Sequence, residues 1–174
     1  MIWPSVVCIN KVLQLAPNNF DKAGDIHFPN PKGEIQQRGG FSYYQPKKGW
    51  QRFGLSVNGI YPEGEKWLSM NGAKQSGSWM VAFHGTNSTS SDYGAVTNII
   101  STRTLLKGNA NAYGGKKATN RLDPIPRIGI YLSLDIEHCY KQTVKTASGN
   151  YELAFQCRVH PIMSGKLEMV LHGS

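Results

Sequence analysis

From Tyr151 to Val159 the chain alternates. Tyr151, Leu153, Phe155, Cys157 and Val159 fall on one side, and Glu152, Ala154, Gln156 and Arg158 on the other. Successive side chains of an extended strand point to opposite faces, so a period of two reads as a strand with one face buried. This is the clearest element in the sequence, and it commits the fold to a sheet. A second strand reads differently. Trp79-Met80-Val81-Ala82-Phe83 is a solid apolar run between Gly77-Ser78 and His84-Gly85, the pattern of a strand covered on both faces.

The remaining elements are weaker. Arg52–Asn58 alternates like a half-buried strand. Val96, Ile99, Ile100 and Leu106 recur at helical spacing over 92–106, with Ser90, Ser91 and Asp92 as capping oxygens and Lys107-Gly108 as the stop. Residues 108–127 form a polar loop with Gly108, Gly114, Gly115, Pro124 and Pro126, and long loops inside compact domains are often functional. Ile128–Leu132 reads as a short strand. Ser133 then caps a helix with Asp135 and Glu137 in its first turn, Lys141 and Lys145 later, and Ile136, Cys139, Tyr140, Thr143 and Val144 on its buried face. Ser148-Gly149-Asn150 ends that helix. Leu167, Met169 and Leu171 give one more short strand. Residues 1–48, punctuated by Pro17, Pro29, Pro31, Gly39 and Gly40, read as an apolar start followed by loops wrapped on the domain. The sum is an α+β chain, with an irregular N-terminal segment over 1–60 packed on a domain spanning 61–174.

Composition narrows the class. A chain of 174 residues with 40% apolar and 17% charged residues suits one soluble domain. Nineteen basic against eleven acidic residues give a net charge of +8, a field that attracts phosphates of nucleic acid or of a dinucleotide. Lys47-Lys48 and Lys116-Lys117 are the basic clusters, and no long Lys/Arg run marks a nucleic-acid footprint. Three cysteines, Cys8, Cys139 and Cys157, form no disulfide framework or zinc spacing and point to a reducing, intracellular (cytoplasmic or nuclear) setting. No signal peptide and no membrane span is expected.

The chemistry-bearing residues sit at element edges. His84-Gly85-Thr86 closes the buried strand, and Gly129-Ile130-Tyr131-Leu132-Ser133 follows the Gly-rich loop. Tyr140 lies in the expected helix, and Arg158-Val159 ends the alternating strand. In that order, over residues 79–162, these motifs resemble the poly(ADP-ribose) polymerase and related ADP-ribosyltransferase family. The resemblance implies a split β-sheet core with a few helices over 61–174, NAD as co-substrate, and cleavage of the nicotinamide–ribose bond through a cationic sugar-like transition state. It also implies roles. His84 hydrogen-bonds an adenosine-ribose hydroxyl. Gly85 presents its backbone to the nicotinamide carboxamide, where a missing side chain permits close approach. Tyr131 stacks on the nicotinamide ring. Thr86 assists on the ribose, and Gly129 opens the strand that carries Tyr131. The loop 108–127 covers the rest of the dinucleotide, with Lys116, Lys117, Arg121 or Arg127 near the pyrophosphate.

The family's third signature is a Glu that polarises the ribose and helps activate the acceptor. Glu168, in Gly165-Lys166-Leu167-Glu168-Met169-Val170, is the one candidate for it; the alternatives are a strand beyond Ser174 or no such residue. Three readings therefore stand. One is a transferase that adds single ADP-ribose units to a protein or nucleic-acid acceptor. The second is an inactive module binding NAD, ADP-ribose or a partner on the same fold. The third is a basic nucleic-acid-binding domain unrelated to NAD. His138, Cys139, Cys157, His160 and His172 make no metal or nucleophile constellation.

Overall fold

The computed structural model describes residues 13, 15–57, 59, 66–68, 77–85, 94–103, 130, 132–139, 142–147 and 149–160. In chain order these form β1 (Ile26–His27), β2 (Ile35–Arg38), β3 (Phe41–Tyr44), β4 (Gln51–Arg52), β5 (Met80–His84), α1 (Gly94–Thr102), β6 (Gln142–Thr146), β7 (Gly149–Leu153) and β8 (Phe155–Val159). Short 3-10 turns occupy Pro17–Asn19, Lys22–Gly24 and Ile136–His138. Among the described residues the strands pair antiparallel two by two: β1 with β4, β2 with β3, β5 with β8, β6 with β7. Among the described residues the content is α+β, built from small strand pairs and the helix α1.

The β5–β8 pair is the centre. Its register sets Met80 opposite Val159, Ala82 opposite Cys157 and His84 opposite Phe155, with Val81–Arg158 and Phe83–Gln156 in between. Directly opposed residues share a face. One face therefore carries Met80, Ala82, His84, Phe155, Cys157 and Val159, and the other Val81, Phe83, Gln156 and Arg158. β5 is apolar throughout because both faces are covered: Met80, Val81, Ala82 and Phe83 are each at most 4% exposed. On the first face Phe155 packs with Val96 and Ile100 of α1 and with Leu13 and Leu15, while Met80, Ala82 and Val159 meet Phe41, Leu132 and Leu134. On the second, Val81 and Phe83 join Ile136, Tyr43, Trp50 and Cys139. Each fully buried aliphatic or aromatic side chain contributes roughly 1.5–3 kcal/mol relative to exposure.

The sequence expectations for the flanks need four corrections. Residues 35–44 are not loop but the hairpin β2–β3. Gly39 and Gly40 both adopt positive φ, +59° and +83°, as a tight hairpin turn of the primed kind requires. A Cβ on Gly39 would also lie 2.6 Å from Met80 N and 2.8 Å from Ser78 O, so the turn abuts the start of β5. The strand expected over 52–58 shrinks to Gln51–Arg52 and a single bridge between Leu55 and Phe20. There Gly54 approaches Gly24 so closely that a Cβ would clash with the facing backbone, and the close contact replaces a regular ladder.

The helix expected after Ser133 is the third correction. Asp135 caps only the one turn Ile136–His138, accepting from Glu137 N–H at 2.9 Å. The chain then forms the β6–β7 hairpin. Thr143, Val144 and Thr146 are β-branched and favour an extended backbone, and Gly149 at φ +140° completes the turn region. Val144 is buried at 2% exposure, now from a strand. Fourth, the alternating strand is interrupted at Ala154: β7 pairs with β6, and β8 with β5. The expected helix over 92–106 is present as α1 over Gly94–Thr102; Arg103, at φ 57°, follows it with its N–H bonded to Ile99 O (2.8 Å), and residues 104–107 lie outside the described residues. Its caps at 90–92, the strands at 128–132 (apart from Ile130 and Leu132) and 167–171, and the loop 108–127 lie outside the described residues.

Candidate functional site

β5 delivers His84 and Gly85 to the end of the central pair. Both are half-buried, and His84 is the last residue of β5 in register with β8. Beside this strand end lies the segment 132–135. Phe83 N–H donates to Ser133 O at 2.7 Å, and Ser133 N–H donates back to Phe83 O at 2.9 Å. Leu134 O accepts from Tyr44 N–H at 2.9 Å, and Asp135 bridges Tyr44 in parallel. Residues 132–135 are thus held between β5 and β3, and Leu132 and Leu134 pack on Met80, Ala82 and Val159.

Two residues far apart in sequence therefore meet: Phe83, which precedes His84, and Ser133, the last residue of the stretch 129–133. Of the expected site residues, the structure describes His84 and Gly85; Thr86, Gly129, Tyr131 and Glu168 lie outside the described residues, as do Tyr140, Lys116, Lys117, Arg121 and Arg127. Chemically, the strand end offers an imidazole able to donate or accept toward a hydroxyl. It also offers a glycine backbone with no Cβ to hold a planar ligand off.

Neighbouring groups have structural roles. His160, which follows β8, meets the edge of Trp79 with ring centroids 4.6 Å apart, and Trp79 in turn packs against Trp67 at 5.2 Å. Glu137 accepts from Trp50 Nε1 at 3.3 Å and pairs with Lys47 at 3.4 Å on the surface. Among the described residues no group of His, Cys, Asp and Glu is arranged to hold a metal ion. No helix among them is long and apolar enough to cross a membrane.

Cys157 is a free thiol packed against the α1 cluster. Burial, reinforced by Cys139, pushes it up to about 12 from an ordinary 9.0. The thiolate is the reactive form, so native Cys157 should alkylate at pH 8.5 on the order of 1,000-fold more slowly than in urea. Peptide mapping after timed iodoacetamide treatment reads this directly. Because the folded pKa is raised, the buried thiol favours the fold below pH 9, and this preference is lost as pH rises from about 9 toward 12.

Sequence reasoning missed the opposite face of the β5–β8 pair. Gln156 and Arg158 alternate out of the apolar row, which reads as a solvated strand face. They instead line a cavity of about 370 Å3 together with residues of the N-terminal segment.

Comparison of the chain with protein-family models, curated proteins and solved structures gives no match.

Proposed function

We propose that the chain is an NAD-dependent ADP-ribosyltransferase that adds single units to a protein or nucleic-acid acceptor. The observation that supports this reading is the backbone pairing of Phe83 with Ser133. Phe83 precedes His84 and Gly85, and Ser133 follows Tyr131 by two residues in sequence, so the pairing agrees with the neighbourhood that the resemblance to ADP-ribosyltransferases implies. The α+β content and the central β5–β8 pair are compatible with the split-sheet core of that fold.

In this reading His84 orients the adenosine ribose through a hydroxyl. Gly85 holds the carboxamide by its backbone, and Tyr131 stacks on the nicotinamide, an aromatic contact of ~0.5–1.5 kcal/mol beyond area burial. Fixing the ring while the sugar develops positive charge favours departure of nicotinamide with the bonding electron pair. The acceptor then forms the new bond at the same ribose carbon and gives up its proton. Glu168, or a residue beyond Ser174, is the candidate carboxylate that stabilises the cation and takes that proton. The net charge of +8 suits NAD phosphates and acidic acceptors alike.

The test is calorimetric titration with NAD, followed by mass spectrometry of the protein and of added acceptors. Binding together with an ADP-ribose adduct is the expected result. Binding without adduct or free nicotinamide would instead identify a module that holds NAD without turning it over, and no binding would overturn the reading.

A further inference from the structure

The cavity beneath the second face of the β5–β8 pair has no part in the reaction proposed above. His84 belongs to the first face, whereas Gln156 and Arg158 point the other way by register. Three guanidinium groups line the cavity: Arg38 at the end of β2, Arg52 in β4 and Arg158 in β8. None of its described lining residues is acidic.

Neutral oxygens are among the groups that position Arg38 and Arg52. Arg52 Nε donates to Gly24 O at 2.9 Å, and its Nη1 donates to Gln156 Oε1 at 3.1 Å. Arg38 Nη1 donates to Leu68 O at 2.9 Å. Arg158 Nη1 is buried with no hydrogen-bond partner among the described residues. Burial first, then Arg38 and Arg52, pull Arg158 down to about 10, and burial likewise lowers Arg52. Tyr43 and then Asp25 act favourably on Arg52, and the Asp25 carboxylate already accepts from Gly54 N–H at 2.9 Å.

A buried Arg158 charge repelled by Arg38 and Arg52 is costly, and an anion at the cavity would offset that cost. Guanidinium forks match phosphate oxygens in pairs, and fixed forks lose little freedom on binding. The volume lies at the lower end of the about 300–1,000 Å3 usual for small-ligand pockets. Phe28 and Tyr43 add aromatic surface to the lining, so the cavity combines cationic and aromatic groups. We propose that this cavity binds a small phosphate-bearing molecule, its phosphate clamped by Arg38, Arg52 and Arg158.

Thermal melting of the whole chain tests this with inorganic phosphate and with ribose 5-phosphate, each against sodium chloride at matched ionic strength. At a concentration ~100 times the dissociation constant the melting temperature should rise by ~5 °C. An equal response to both compounds assigns free phosphate; a larger response to ribose 5-phosphate assigns a phosphate ester. The Arg158→Met variant should melt no lower than the wild type in chloride, since it removes a buried, repelled charge, and should lose the phosphate response. Arg158→Lys, which keeps the charge without the fork, should respond less than the wild type. Wild-type protein that melts alike in phosphate, ribose 5-phosphate and chloride would overturn the proposal. So would an undiminished response in folded Arg158→Met. Neither result touches the NAD reading, which is scored by nicotinamide release.

Discussion

Replacing His84 with alanine is expected to lower NAD turnover by ~100-fold or more, the scale set by removing one preorganised hydrogen-bonding group from an active site. The fold should survive. His84 is half-buried at the end of β5, and the apolar clusters that hold β5 are built from Met80, Val81, Ala82 and Phe83. A substitution outside those clusters shifts stability by little. Circular dichroism and melting temperature close to wild type, with nicotinamide release reduced to near background, is the expected pair of results. An unchanged turnover rate in a folded His84→Ala protein would remove His84 from the site.

The second large effect is on stability. Phe83 is 1% exposed and packs with Val81, Ile136 and the ring of Tyr43, whose centroid is 6.4 Å away. Its truncation to alanine should cost ~3–5 kcal/mol, because the cavity cannot collapse between two covered faces. For a chain of this size the melting temperature should fall on the order of 10 °C. The same residue makes both backbone bonds to Ser133, so packing and site geometry are coupled there. Phe83→Leu, which refills most of the volume, should recover most of the stability. A Phe83→Ala protein that melts within a degree of wild type would mean that β5 is not central to the core.

How much of this was visible in the sequence depends on what each residue pattern encodes. The apolar run at 79–83 had only one physical interpretation, a strand covered twice, and β5 is that strand. The alternation at 151–159 fixed which side chains face the core but not which strand they pair with. Nothing local marks Ala154 as the point where β7 leaves β6 and β8 joins β5. The segment after Ser133 misled because charge placement and a capping aspartate are the same for one turn as for a long helix. The β-branched Thr143, Val144 and Thr146 tipped the continuation into a strand once Gly149 allowed a tight return. The hairpin β2–β3 was hidden because its strands are short and its Gly39-Gly40 turn reads equally as loop.

The candidate site was legible as a set of residues at element ends, and His84-Gly85 does close β5. That Ser133 pairs with Phe83 is a long-range contact that no local pattern announces. The arginine cavity was illegible for the opposite reason. Arg38, Arg52 and Arg158 lie on three different strands, and each alone reads as a solvated surface charge.

Incubating the protein with NAD and quantifying released nicotinamide, with ligand-induced melting shift recorded alongside, tests the central claim most directly. The account predicts release above the uncatalysed background together with a rise in melting temperature. Absence of both release and a melting shift would contradict it, and would leave the pairing of Phe83 with Ser133 without the activity inferred from it.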